Sequence, residues 1–122
     1  MFDQFKAMGQ IAGLLKNKDR LADAAERVKA ELEAVEVEGQ AGGGAVRVRA
    51  SGKLRILSVT VETAAAAGLA TPEHKADAEQ LITEATNDAL TKAQEAARVI
   101  VEREMQELGL PALPADLGNF LP

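Results

Sequence analysis

The sequence predicts an α+β fold in which a long helix, a three-stranded antiparallel sheet and a second long helix follow in order (α-β-β-β-α). Apolar residues recur with a helical period near both ends of the chain and with a period of two between them. Glycine-rich breaks separate the alternating segments, which favours an antiparallel meander because parallel strands need long crossovers. We expect one domain over residues 1–108 of the 122-residue chain, and an apolar, proline-punctuated tail over 109–122.

The first helix is predicted by apolar residues that recur every three, four or seven positions, a period of 3.5. These positions are Ala7, Ile11, Leu14, Leu21, Ala25, Val28, Leu32 and Val35. Two interpretations stay open for this helix. It either carries a coiled-coil-like seam for another helix, or it is an ordinary amphipathic helix that packs within its own domain.

Three strands are predicted after Val35. In the first, valines and Gly39 alternate with Glu36 and Glu38, and residues 40–44 form a loop. In the second, Val46, Val48 and Ala50 alternate with arginines, and residues 51–53 form a turn. The third strand runs from Leu54 to Val61.

Residues 63–70 are predicted to be an alanine-rich link without regular structure. The second long helix is expected to begin at Thr71, with its hydroxyl as the N-cap and Pro72 in the first helical position. It runs to about Leu108, where Gly109 and then a proline end it.

A homodimer with intertwined subunits and projecting helices is expected from the thin core. Three phenylalanines are the only aromatic residues, and alanine supplies much of the apolar fraction. Each long helix would extend about 50 Å, longer than a compact domain of this size allows. The helices therefore either project from the domain or are covered by a second chain. The tail is either a flexible end or a segment that docks on a neighbour.

Catalytic chemistry finds no support in the sequence. There is no cysteine, and His74 is the only histidine, so no metal site or other cofactor is expected. Ser51 lacks a general base, and the Gly42–Gly44 run lacks the lysine and hydroxyl of a phosphate-binding loop. We expect a non-enzyme with no small-molecule substrate, located in the cytoplasm, without a signal peptide or membrane span.

The charge distribution gives one candidate binding surface. The net charge of −5 argues against a nucleic-acid partner, since such proteins usually carry a basic footprint. Basic residues nevertheless collect on the second strand, in the turn after it and near the start of the first helix. The candidate phosphate contacts are Lys16, Lys18, Arg20, Arg47, Arg49, Lys53 and Arg55. Alternatively, these charges only solubilise an exposed sheet face or protect an edge strand.

Several segments together resemble a known family. They are Val35-Glu36-Val37-Glu38-Gly39, Gly43-Gly44-Ala45-Val46-Arg47-Val48, Ser51-Gly52-Lys53, Val59-Thr60-Val61 and Ala85-Thr86-Asn87-Asp88-Ala89-Leu90. Their order resembles that in the YbaB/EbfC family of bacterial nucleoid-associated proteins. The resemblance implies a homodimer whose sheets join and whose helices project, which binds double-stranded DNA in the nucleoid. It identifies no DNA-contacting residues, so the seven candidates depend on charge placement.

Two functions are therefore compared. The first is a nucleoid-associated DNA-binding homodimer that contacts phosphates with little sequence selectivity and influences nucleoid organisation and gene expression. The second is a protein-interaction module that grips a partner protein with its long helices and tail. The second helix favours the latter, because residues 73–107 carry nine acidic side chains. A third function, a hydrolase or metalloenzyme, would be supported by a metal analysis that finds stoichiometric zinc or manganese.

Overall fold

A computed structural model describes the backbone of residues 2–109 and the side chains of residues 18–109. Helix α1 spans Phe2–Ala34 and is followed by strands β1 (Glu36–Ala41), β2 (Val46–Ser51) and β3 (Ile56–Val61). A short helix, α2 (Thr63–Leu69), precedes the long helix α3 (Lys75–Glu107). The strands form one antiparallel sheet in the order β1-β2-β3. The predicted helix–sheet–helix layout is confirmed, with α2 as an addition.

Both strand connections use backbone conformations with positive φ. In the first, Gly42, Gly43 and Gly44 have φ angles of 63°, 66° and 95°, which favour glycine. In the second, Leu54 has a φ angle of 61°. Strand β3 therefore begins at Ile56, and the prediction that it starts at Leu54 is wrong. Its turn is closed by the Ser51 N–H, which donates to the Arg55 carbonyl over 2.9 Å.

The core lies between α3 and one face of β1 and β2. Val46, Val48 and Ala50 of β2 are fully buried, and the alanines at 85, 89 and 93 of α3 are fully buried against them. Small side chains allow the helix axis to come close to the sheet. Gly39 of β1 lies at the closest approach, where a Cβ atom would be 2.2 Å from the backbone nitrogen of Ala89.

Strand β3 lies beyond the reach of α3. Ile56, Leu57 and Val59 are 42%, 49% and 49% exposed, although each is a typical core residue. The register pairs Val59 with the buried Val48, which places Val59 on the same side of the sheet as α3. The described chain therefore leaves an apolar strip uncovered along one edge of the sheet.

The predicted unstructured link over residues 63–70 is wrong, because Thr63–Leu69 forms α2. Four consecutive alanines give this segment a high helix propensity, and Ala65 packs against the core. The predicted N-cap is also wrong. The Thr71 hydroxyl donates to the Ala67 carbonyl over 3.1 Å, so it closes α2 instead, and α3 begins at Lys75 after His74.

Helix α1 meets α3 near the C-terminal end of α3. The Arg27 guanidinium donates to the Glu104 carboxylate over 3.3 Å, and Arg103 pairs with Glu31. Glu104 is only 5% exposed, so its ion pair compensates part of the cost of burying the charge. Helix α3 ends as predicted, with Gly109 at a φ angle of 74°. None of the helices described has the length and apolarity needed to cross a membrane.

Candidate nucleic-acid interface

The sheet face opposite α3 is polar and exposed. Because side chains alternate along a strand, the residues between the buried ones point to this face. The register forms two rows across it, Gln40–Arg47–Thr60 and Glu38–Arg49–Ser58. All six side chains are exposed. We call these two rows, together with Glu36, the open face.

The two arginines of the open face differ in their electrostatic surroundings. The Arg49 guanidinium donates to the Glu36 carboxylate and lies in the same row as Glu38. Arg47 has neutral neighbours in its row and forms no ion pair within the described residues. Its charge is therefore available to an external anion, whereas that of Arg49 is partly compensated.

The turn between β2 and β3 carries Lys53 and Arg55. The Lys53 ammonium donates to the Glu33 carboxylate over 2.5 Å, which connects the turn to the end of α1. This hydrogen bond, the charge of Lys53 and the nearby Lys29 lower the pKa of Glu33. Arg55 is exposed and has no ion-pair partner among residues with described side chains. In this turn, Arg55 is therefore the cation better placed for a phosphate.

The helical candidates form a separate group. Lys18 and Arg20 are exposed on α1, and the side chain of Lys16 lies outside the described residues. Lys18 precedes the end of α1 at Ala34 by about 24 Å along the helix axis. The six sequence candidates with described side chains therefore belong to two surfaces, the open face with its turn and the middle of α1.

Two residues that the charge analysis missed lie on α3 and bind the outer edge of β1. The Asp88 carboxylate accepts the Gln40 backbone N–H over 3.0 Å, and the Lys92 ammonium donates to the Glu38 carbonyl over 3.0 Å. The Gln40 hydrogen bond is the main cause of the lowered pKa of Asp88, followed by that of Lys92. Their spacing of four on α3 was the available signal, since it places both side chains on one face of the helix.

The residues tested for other chemistry have structural surroundings. The Ser51 side chain is buried, and its hydroxyl accepts the Lys53 backbone N–H over 3.3 Å. His74 is exposed immediately before α3. Over the described residues, no three His, Cys, Asp or Glu side chains are grouped so that they could hold a metal ion.

Comparison with known proteins identifies the family. The sequence model of the YbaB/EbfC DNA-binding family matches residues 8–108. The chain belongs to this family. The match includes both strand connections, the open face and the Asp88–Lys92 pair, but not the tail.

Curated relatives in the YbaB/EbfC family carry the name nucleoid-associated protein. One from Afipia carboxidovorans is 32% identical over 106 residues, covering 87% of this chain and 97% of the relative. Another from Gloeobacter violaceus is 35% identical over 115 residues, covering 93% and 96%. Both alignments extend over almost the whole relative.

A solved structure shares the fold. The crystal structure of an uncharacterized protein from Helicobacter pylori matches with a TM-score of 0.62 and 18% identity. The match covers 80% of this chain and 95% of that one. At this identity the similarity supports the arrangement of helices and strands alone.

Proposed function

We propose that this chain is a double-stranded DNA-binding protein of the bacterial nucleoid that acts as a homodimer. It contacts phosphates with little sequence selectivity and thereby influences nucleoid organisation and gene expression. Family membership supports a DNA partner. The observation that carries the choice of surface is the open face, where Arg47 is exposed and unpaired within the described residues. The family is one of DNA-binding proteins and not of enzymes.

The homodimer is supported by the difference between the two edges of the sheet. At β1, α3 side chains occupy the Gln40 N–H and the Glu38 carbonyl, so these groups are unavailable to another strand. At β3, the edge carries no such cover among the described residues, and its apolar side chains are half exposed. An exposed apolar edge strand favours pairing with another strand. We infer that β3 pairs with β3 of a second copy.

Such pairing would concentrate the arginines. The β2 strands of the two chains would be separated by three strand spacings, about 14 Å. Arg47 and Arg49 of both chains would then lie on one continuous polar face, with the glutamates of β1 towards its outer margins. The paired face would carry four arginines, whereas the open face of one chain carries two. It could therefore neutralise more phosphates of a duplex than one chain can. The projecting α1 helices would add Lys18 and Arg20.

The test is the salt dependence of binding to a long duplex. Each neutralised phosphate contributes about −0.9 to the slope of log affinity against log salt, so Arg47→Gln should reduce the slope by about 2 per dimer. We also expect weaker binding on every duplex sequence, because phosphate contacts carry no base information. The control is Arg98→Gln on α3, since Arg98 already pairs with Glu95 and Glu102.

Two results would contradict this function. The proposed phosphate contacts would be contradicted if the protein did not bind DNA at low salt, or if salt did not weaken the binding. In the second result, Arg47→Gln leaves the slope of log affinity against log salt unchanged while Lys18→Gln reduces it. That result would show that DNA contacts α1 and not the open face. The alternative, a protein-interaction module, is favoured by the exposed acidic surface of α3. A partner that stays bound after nuclease treatment, with no duplex affinity, would support it.

A further inference from the structure

An apolar groove separates α1 from the C-terminal end of α3. Its volume is about 360 Å³, and its floor and walls include Leu21, Val28 and Leu32 from α1, and Val101, Met105 and Leu108 from α3. Leu21 is 46% exposed within it. A groove lined by such side chains is costly to leave in contact with water. The described residues supply nothing that fills it.

The end of α3 lies beside this groove, which Leu108 helps to line. Gly109 adopts a φ angle of 74°, and its N–H donates to the Gln106 carbonyl over 3.0 Å. This bond is one of the two that define a Schellman cap, in which a hydrophobic contact frequently joins the residue after the glycine to the residue three positions before the cap. With Leu108 as the cap residue, that contact would join Leu110 to Met105. Met105 lines the groove.

Helices α1 and α3 run in opposite directions along the groove. Arg27 pairs with Glu104, and Glu31 pairs with Arg103, so α1 and α3 run antiparallel where they meet. The groove therefore extends from the end of α3 towards lower residue numbers on α1. Leu21 lies in that direction, and it is the most exposed large apolar side chain of the groove.

The chemistry of the chain after Gly109 suits this groove. Its 13 residues carry four leucines and one phenylalanine, and Asp116 is its only charged side chain. Its three prolines lack backbone N–H groups, which lowers the number of donors left without partners in an apolar site. At about 3.3 Å per residue, this segment spans up to about 43 Å, enough to cover the groove.

We propose that residues 110–122 fold back into the groove between α1 and α3 of the same chain. Leu110 contacts Met105, and the later leucines cover α1 around Leu21. The tail thereby adds apolar contact to a junction where the described residues also form the Arg27–Glu104 and Arg103–Glu31 ion pairs. This inference is independent of DNA binding and of the role of β3.

The test is disulfide formation in the full chain, which has no cysteine of its own. One variant combines Ala25→Cys in the groove with Leu113→Cys in the tail. The control combines Leu113→Cys with Asp23→Cys, an exposed position on α1 two residues from Ala25 that does not line the groove. Both are oxidised without DNA, and the products are identified by mass spectrometry of mixed isotope-labelled and unlabelled chains. We expect an intrachain bond at least tenfold faster in the first variant.

Each other outcome overturns the proposal. Equal rates in the two variants would mean that the tail does not occupy the groove. Bonds between labelled and unlabelled chains would make a second copy the occupant. Adding Leu110→Asp to the Ala25→Cys variant should slow the bond at least fivefold, and an unchanged rate would contradict the Leu110–Met105 contact. Because no DNA is present, failure of the proposed function would leave these results unaffected.

Discussion

At the residue scale, Gly39 determines how closely α3 approaches the sheet. A Cβ atom at this position would lie 2.2 Å from the Ala89 nitrogen and 2.5 Å from the Ala85 carbonyl oxygen. These are backbone atoms of a helix, so no side-chain rotation relieves the overlap. The close contact between β1 and α3 therefore requires both glycine at position 39 and alanines on the facing side of α3.

Gly39→Ala should therefore destabilise the fold by about 3 kcal/mol, since α3 must move away from its buried partners on β2. The matched control is Gly68→Ala in α2, where a Cβ atom would have ordinary contacts at 3.6 Å and beyond. That change should stabilise the chain by about 0.5–1 kcal/mol through helix propensity. Urea unfolding at one protein concentration measures both. A Gly39→Ala chain as stable as the parent would contradict the close approach.

The candidate site could be predicted from sequence only in part. The alternation of arginines with buried residues predicts that Arg47 and Arg49 share an exposed face. The sequence does not reveal that Glu36 pairs with Arg49, because that contact depends on the strand register. Glu33 lies at the end of α1, outside the sheet, and the sequence likewise does not show that it binds Lys53, which therefore looked equivalent to Arg55. Charge placement predicts where the basic residues lie, whereas the strand register and the packing of α1 decide which charges remain unpaired.

At the element scale, α3 forms hydrogen bonds with the outer edge of β1. Asp88 and Lys92 replace the hydrogen-bond partners that a neighbouring strand would give to Gln40 and Glu38. These side chains belong to α3 and act on the backbone of another element. The helix therefore fixes β1 both by packing on its face and by hydrogen bonds along its edge.

The Asp88 contact predicts a pH dependence of stability. Its pKa is lowered in the folded chain, so the charged form contributes stability above the unfolded value of about 3.9. That contribution is lost as pH falls through the folded pKa. Asp88→Asn, which resembles the protonated form, should lower the free energy of unfolding at pH 7, and this difference should shrink as the pH is lowered from 7 towards 2. Urea titrations across this range measure the difference.

The control for this prediction is Glu79→Gln, on an exposed part of the same helix where no ion pair is formed within the described residues. We expect its effect on unfolding to be small at both pH values. A difference for Asp88→Asn that persists unchanged to pH 2 would show that the carboxylate charge is not what stabilises the edge of β1.

The long helices and three strands could be predicted because each repeats its pattern over enough residues. Helix α2 was missed because seven residues of mostly alanine show no apolar period. Its local propensity favours a helix, but a segment this short depends on packing for its stability. Leu54 was placed in a strand because its side chain is apolar, whereas the turn requires its positive φ angle.

At the scale of the whole molecule, the uncovered strip on β3 is the surface through which we propose that two copies associate. The fold buries β1 and β2 beneath one helix and leaves the third strand half exposed. The thin core and long helices predicted a partner from sequence alone. Which surface would meet it could not be predicted, because the position of α3 over β1 and β2 depends on the close contact at Gly39.

Val59→Lys should prevent the proposed pairing, because the two-fold axis would bring two added charges into the same apolar strip. We expect the solution mass to fall from twice the 12.8 kDa chain mass to the single-chain value. Sedimentation equilibrium measures this mass. Val99→Lys is the control, since Val99 is 51% exposed on α3 and Val59 is 49% exposed. A Val59→Lys chain that keeps the double mass would exclude β3 as the interface.

The hydrogen bonds from Asp88 and Lys92 have a consequence for growth of the assembly. A sheet with two unprotected edge strands can pair with copies at both edges and can therefore extend without limit, as in fibres. In this chain, α3 side chains occupy the outer edge of β1, so only β3 is left for the proposed pairing. Under that proposal, strand addition would end at two copies instead of continuing into a fibre.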